Sequence, residues 1–382
     1  MPLWPHAPGW EVVEALEWAT SVQEAESDAQ RIAARALPFR TLSAAFRFAL
    51  PGSALPLPSL AEAEALLREI GAGPVDLPLW PESVAVGDLA AGAVSAAFDT
   101  AHGSWQVGER AALRARRDRA VSASPPISAV RPDGLDFAAP LTEAIPDAIA
   151  APVRAGRLAS AAEGAATPGV VDLNIGFQVV GGPLVPAPAA ATLDGLDIFD
   201  GPVLAARQSP LAFDRPARVT AGPAGPVVAE ALRDWHEARG EILTLDAGAA
   251  ARWARRGWLH ARRGRQVAFW APSLRPGLTL AAPLSAGAAA VTLPTPPEPD
   301  QLVGRGIRLS EGGAVVHRRL GAWAPAGAGV VAYAIAAPGA AFTAAAAVSE
   351  LRIHRLDTDR VELLHRGLDL TELACAIVER PA

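Results

Sequence analysis

RGRQVAFW, residues Arg263 to Trp270, marks the junction around which the chain is organised. Upstream, DAGAAARWARRGWLHARRG runs as a helix from a capping Asp246 to Gly264. Glycine ends a helix readily because it reaches the left-handed backbone region without a Cβ penalty. Downstream, QVAFWAP is a short apolar strand closing on Trp270 and a proline. The unit is therefore helix, glycine turn, strand. Arg262, Arg263 and Arg265 fall in the last helical turn and just beyond, where the helix dipole favours cations. A structural turn accounts for them better than an anion site.

The same device occurs earlier in the chain. ARRGRQVAFWAPSLRPGLTLAAPLSAGAAAVTL is paralleled by EIGAGPVDLPLWPESVAVGDLAAGAVSAAF. Trp80 aligns with Trp270, Pro81 with Pro272 and Gly92 with Gly287, although GAGPVD carries no arginine. Gln106 in QVGERAAL matches Gln301 in QLVGRGIRL. GRLAS at Gly156–Ser160 matches HRLDT at His354–Thr358, and VVDLNIGFQVV matches LTELACAIVER. Landmarks in constant order with a slowly drifting offset are what a tandem duplication leaves. The expected division is residues 1–182, a Pro/Ala/Gly linker at 183–195 within GGPLVPAPAAATLDG, and residues 196–382.

Each half holds one helix. Ser59 and Glu62 sit at capping-box spacing before LAEAEALLREI, which ends at Gly71 or Gly73. In the second helix Trp253 and Trp258 do not share a face. Elsewhere TLSAAFRFAL, SVAVGDL, VVDLNIGFQVV, GLTLAAPL, AAAVTL, SELRIHRL and DRVELLHRG alternate, or run apolar between turn residues. GRGIRLSEGG reads as a strand with a hairpin turn. The fold class is mostly β (α+β): two tandemly duplicated β-rich domains, each with one main helix packed on its sheet.

Composition narrows the function. The 382 residues carry net charge −6 and contain no lysine, so all basic side chains except histidine are arginines. Charges of both signs are interspersed, which argues against nucleic-acid binding. Heavy use of Ala, Gly, Pro and Arg reads as the mark of a GC-rich genome. The N-terminus has no signal-peptide pattern. Residues 320–349 lack charge, but Pro325, Pro338 and the glycines around them favour buried strands and turns over a membrane span.

No catalytic signature is present. HEARG at His236–Gly240 lacks the second histidine of a zinc-protease helix. His354 and His365 are the closest histidine pair, expected on adjacent strands, and satisfied surface histidines are the better reading. Asp357 and Asp359 in RLDTDRVELL are expected in a polar hairpin turn rather than as a hydrolytic carboxylate pair. The single cysteine, Cys375, sits in the apolar run LACAIV and reads as an inert core thiol. We expect no enzyme activity, no cofactor and no metal.

WLHARRGRQVAFWAP, LTLAAPLSAGAAAVTL and RLDTDRVELLHRGLDLTELACAIVERP together resemble the tail-tip and baseplate proteins of long-tailed bacteriophages and gene transfer agents. LWPHAPGWEVVEALEWAT and GPVLAARQSPLAFDRPARVT, at the start of each half, have the same look. The first half departs from the pattern at its helix turn and at the Pro-rich ASPPISAVRPDG. The resemblance implies a structural virion protein of distal tail or hub-adaptor type, assembled in the host bacterial cytoplasm. It implies a ring at the end of the tail tube. The partners it implies are copies of itself, as a homo-trimer or homo-hexamer, with the tail tube protein, the baseplate hub, the tape measure protein and tail fibre proteins. Trp258, Arg262, Arg263 and Arg265 are the candidate interface residues. Two duplicated domains in a trimer would place six similar domains around one axis. The alternatives are a carbohydrate- or receptor-binding β module, which calls for exposed aromatics, and a virion-associated hydrolase, which calls for an acid or nucleophile pair.

Overall fold

The computed structural model describes residues 1–382 apart from 10, 25–28, 54, 161, 183–184, 200, 202–211, 215–216, 221–227, 232–236, 274–276 and 381–382. Two α-helices accompany a predominance of antiparallel strands among the described residues. α1 spans Leu60–Ile70 and α2 spans Gly248–Arg262. Both lie where the sequence places them, and both end at a residue with positive φ, Gly71 and Arg263, each at 50°. The cap details differ. The Ser59 side chain makes no cap hydrogen bond. Asp246 is one residue short of the cap position, held by Ala247, and is spent instead on a salt bridge to Arg255 at 2.9 Å.

One antiparallel sheet draws strands from both halves of the chain. In the first half Phe39–Ala49 pairs with Val170–Val179, which pairs with Ile145–Leu158, which pairs with Val75–Pro78. In the second half Glu237–Ala247 pairs with Leu370–Glu379, which pairs with Ala347–Leu356, which pairs with Phe269–Pro272. Hairpin strands flank each set: Glu163–Thr167 lies on Val170–Val179, and Arg360–Arg366 lies on Leu370–Glu379. Glu11–Glu17 joins the halves, pairing with Phe39–Ala49 on one side and Arg360–Arg366 on the other.

A three-stranded sheet accompanies each half. One orders Ser95–Ala97, Gly134–Phe137 and Ile127–Arg131, and the other Ala290–Pro294, Val330–Ala334 and Trp323–Gly327. Residues 320–349 thus form strands and turns, and no helix of the described residues is long and apolar enough to cross a membrane. The GRGIRLSEGG hairpin forms as expected, with Gly306–Glu311 against Ala314–Arg319. GLTLAAPL does not form a strand. It makes only single bridges, Leu278 to Val348 and Leu284 to Phe342.

Trp80 and Trp270 are not counterparts. Trp270 lies within the strand Phe269–Pro272, opposite Ile353. Trp80 begins a 3-10 turn, Trp80–Glu82, beyond the strand Val75–Pro78. Asp76 holds the place in the first strand set that Trp270 holds in the second.

Separate apolar clusters fill the sheet faces. Trp4, Phe46, Phe48 and Phe177 pack under α1. A cluster under α2 combines Leu16 and Trp18 from the N-terminal strand region with Trp258, Phe269, Leu363 and Cys375. The two halves therefore share apolar core as well as a sheet. The Cys375 thiol is 2% exposed, and burial pushes its pKa up to about 12, which leaves it an inert core group.

Candidate functional site

A buried charge network sits where the halves meet. Along EVVEALE, Val12, Glu14 and Leu16 share one face of a strand, because successive side chains alternate. That face is inside, so Glu14 is fully buried. Its Oε1 accepts from Arg40 Nε at 2.7 Å, and its Oε2 accepts from Arg256 Nη2 at 2.7 Å and from His365 Nε2 at 2.8 Å. The second carboxylate is Glu82, on the 3-10 turn, 1% exposed. It accepts from Arg256 Nη1 at 3.1 Å, and at Oε2 from the Ser104 backbone N–H at 2.8 Å and hydroxyl at 2.6 Å. Arg40 Nη2 lies 2.8 Å from Glu82 Oε1. Arg256 thus bridges two carboxylates of the first half from a helix of the second. Arg252, one turn earlier on α2, donates to Leu368 O at 2.7 Å.

Two carboxylates face Arg40 and Arg256, and two more buried guanidiniums, Arg252 and Arg154, lie within electrostatic reach of Glu82. Burial alone would raise the pKa of Glu14, but Arg256 and Arg40 outweigh it and hold the carboxyl well below its usual range. The same competition, with Ser104 assisting, brings Glu82 to about 2. Burial lowers the pKa of His365, so its ring is neutral at pH 7. An ionised Glu14 can only accept, so Nε2 carries the proton, and Nδ1 accepts from the Thr371 hydroxyl at 2.9 Å. Both carboxylates are held in the ionised form and each accepts from several donors. Carboxylates held ionised by buried guanidiniums on both halves suit a fixed joint.

A cavity of about 510 Å³ opens beside this joint, lined by Phe39, Arg40, Gln178, Trp253, Arg256 and His260. Trp253 stacks under Arg256, 5.4 Å from the guanidinium carbon to the ring, while Trp258 faces the core. The two tryptophans of α2 therefore divide between faces as their spacing requires. His260 is lowered to about 4, first by burial and then by Arg256.

The arginine cluster of the opening stretch is mostly turned inward. Trp258 packs against Phe199 and Phe269. Arg262, 3% exposed, bonds Asp197 and the Ala268 carbonyl, the latter at 3.1 Å. Arg265 donates its backbone N–H to Asp359 Oδ1 at 3.0 Å and its guanidinium to Asp357 O at 2.6 Å. Arg263 alone of the four is not tied into the core in this way, and it holds the left-handed cap of α2. Asp357 and Asp359 lie in the short connection between Ala347–Leu356 and Arg360–Arg366, but these strands do not pair with each other, so the connection is not the expected hairpin turn. Asp359 also accepts from the Thr20 backbone at 2.8 Å and hydroxyl at 2.7 Å, tying the connection to the N-terminal region.

Two histidine expectations are corrected. His354 and His365 are not on adjacent strands, because Leu370–Glu379 runs between theirs. His6, His260, His354 and His365 are buried rather than on the surface. Among the described residues no group of three or more His, Cys, Asp or Glu is placed to hold a metal ion. His236 lies outside the described residues.

Motif reading misses Glu14, Arg40, Glu82, Arg256 and His365 because they are scattered along nearly the whole chain. One signal was legible: a glutamate between valine and leucine on the inward parity of EVVEALE marks a buried, paired charge. No family model matches the chain, and no curated protein matches it.

Proposed function

We propose that this chain is a tandem duplication acting as a structural component of a phage tail tip. It forms a ring at the distal end of the tail tube and joins the tube to hub and fibre proteins. The observation that carries the reading is the strand order. The first set, 39–49, 170–179, 145–158 and 75–78, has the pairing sequence of the second, 237–247, 370–379, 347–356 and 269–272. In both, a helix leads from the first strand of the set to the last, and a three-stranded sheet is inserted before the third. Such agreement supports two repeats of one domain, divided near the 183–195 segment.

A ring component needs repeated contacts and stiffness rather than chemistry. The joint between the halves supplies stiffness, with paired strands, shared apolar core and a buried charge network. The sequence resemblance supplies the tail-tip context, with the tail tube, tape measure, hub and fibre proteins as neighbours in the virion. The protein on this reading is no enzyme and takes no cofactor. The test is light scattering with negative-stain class averages of the purified chain. A closed ring with a lumen is the expected result. Three subunits would mean that the six repeats make the ring, and six would place one repeat of each chain outside it. A compact monomer at all concentrations, with or without tail tubes added as a template, would overturn the reading.

A further inference from the structure

The joint between the halves is one-sided. Glu11–Glu17 of the first half lies on Arg360–Arg366 of the second, with Ala15 opposite Glu362. The strand register gives the counterparts of these two strands. Ala15 faces Thr41, and Thr41 faces Gln178. Ala212 faces Arg239, and Arg239 faces Val378, the same path one repeat later. Glu362 faces Ala374 as Glu163 faces Asn174. So Ala212–Asp214 stands where Glu11–Glu17 stands, and Glu163–Thr167 stands where Arg360–Arg366 stands.

Those two counterpart strands do not meet within the chain. Among the described residues Ala212–Asp214 pairs only with Glu237–Ala247, and Glu163–Thr167 pairs only with Val170–Val179. All five residues of Glu163–Thr167 are exposed. EGAAT carries one charge and no proline, so the edge lacks the usual protection against strand addition. The edge strand Ala314–Arg319 contrasts with it by ending in two arginines. A joint that leaves its own two halves open on opposite sides is heterologous, and a heterologous contact propagates into a ring or a filament.

We infer that Glu163–Thr167 is a docking edge for a second copy of this chain. The edge accepts the Ala212–Asp214 strand of the neighbour by antiparallel pairing, with Ala212 of one copy opposite Glu163 of the next. The contact repeats between chains the pairing that Glu11–Glu17 makes within one. This rests on the tandem-repeat reading and not on the tail-tip assignment.

Cysteine cross-linking of the full chain tests it, since the native Cys375 is buried and silent. Glu163→Cys protein is mixed with Ala212→Cys protein and oxidised. The expected product is a disulfide dimer that needs both partners and disappears on reduction. Combining both substitutions in one chain should give a ladder that stops at the closure number of the ring. The control is Ala15→Cys with Glu362→Cys, which occupies the same register inside one chain and should close internally. If the control closes while the mixed variants yield no more dimer than either alone, the inference fails. A ring seen by light scattering without the cross-link also overturns this edge, but leaves the ring assignment standing. A ladder without a closed species keeps the edge and counts against the ring.

Discussion

Glu14 is the residue on which the joint depends. Replacing it by glutamine keeps its shape but removes the charge facing Arg256 and Arg40. Leaving a buried charge uncompensated costs roughly 3–5 kcal/mol. Glu14→Gln should lower the urea midpoint accordingly, whereas Arg47→Ala, which breaks the exposed pair with Asp172, should cost under about 1 kcal/mol. Equal effects would mean that the buried network carries no special weight. Acid should act at the same scale. Burial holds His6, His260 and His354 neutral, each lowered from 6.5 to about 4. The unfolded chain therefore takes up these protons first as pH falls. Their contribution is complete above 6.5 and erodes down to about 4. Across that window each histidine should cost about 1.4 kcal/mol of stability for every pH unit. Glu82 has the opposite-signed charge but the same trend. Its folded pKa is depressed from 4.5 to about 2, so its stabilisation is present above 4.5 and is lost below. Urea unfolding from about pH 7.5 to about pH 4.5 should show a falling midpoint, and a flat profile would contradict the buried neutral histidines.

At the scale of elements, α2 does more than cover a sheet. It presents Arg252 and Arg256 to the first half, Trp258 to the core and Gly257 to the segment between the halves. A Cβ on Gly257 would stand 2.1 Å from Pro186 O. Val185 is 3% exposed and donates its N–H to His260 Nδ1 at 3.2 Å. The start of the Pro/Ala-rich segment, residues 185–187, therefore lies against the helix, while 188 and 189 are exposed. Gly257→Ala should force it away, at a cost of roughly 1–3 kcal/mol. Limited proteolysis would check this, with cleavage in 185–191 expected to rise. Unchanged cleavage and an unchanged thermal midpoint would show that the close approach is readily relaxed. Helix positions, the clearly alternating strands and the 306–319 hairpin were legible because each has a local period or turn, whereas the strands Ile145–Leu158 and Glu237–Ala247 were not. The Asp246 cap falls one residue away from its expected place because Arg255, nine positions on, competes for that carboxylate.

At the scale of the whole molecule, the halves should unfold together. Seven residue pairs join Glu11–Glu17 to Arg360–Arg366, and Glu14, Arg256 and His365 lock the same seam. Calorimetry should give one transition for the intact chain. Removing residues 1–17 should destabilise the second half, because Leu16 is part of its core and Glu14 the partner of its buried Arg256. Two independent transitions, with the second half unmoved by that deletion, would mean that the seam is only a surface contact.

Local sequence is enough to specify the β-rich class, the two helices, the strands with a clear alternation and several glycine turns. These follow from side-chain alternation, helical spacing and backbone sterics, which act over a few residues. The repeated order of landmarks is also written in the sequence, although the two tryptophans stand four positions out of step at that strand. Long-range packing settled the rest: which charges are buried together, that four histidines lie inside, and that the N-terminal strand crosses to the far half of the chain. Those facts depend on contacts between residues far apart in the chain, such as Glu14 and His365, 351 positions apart. No local period encodes such a distance, because a buried charge is stable only once its partner has been brought to it.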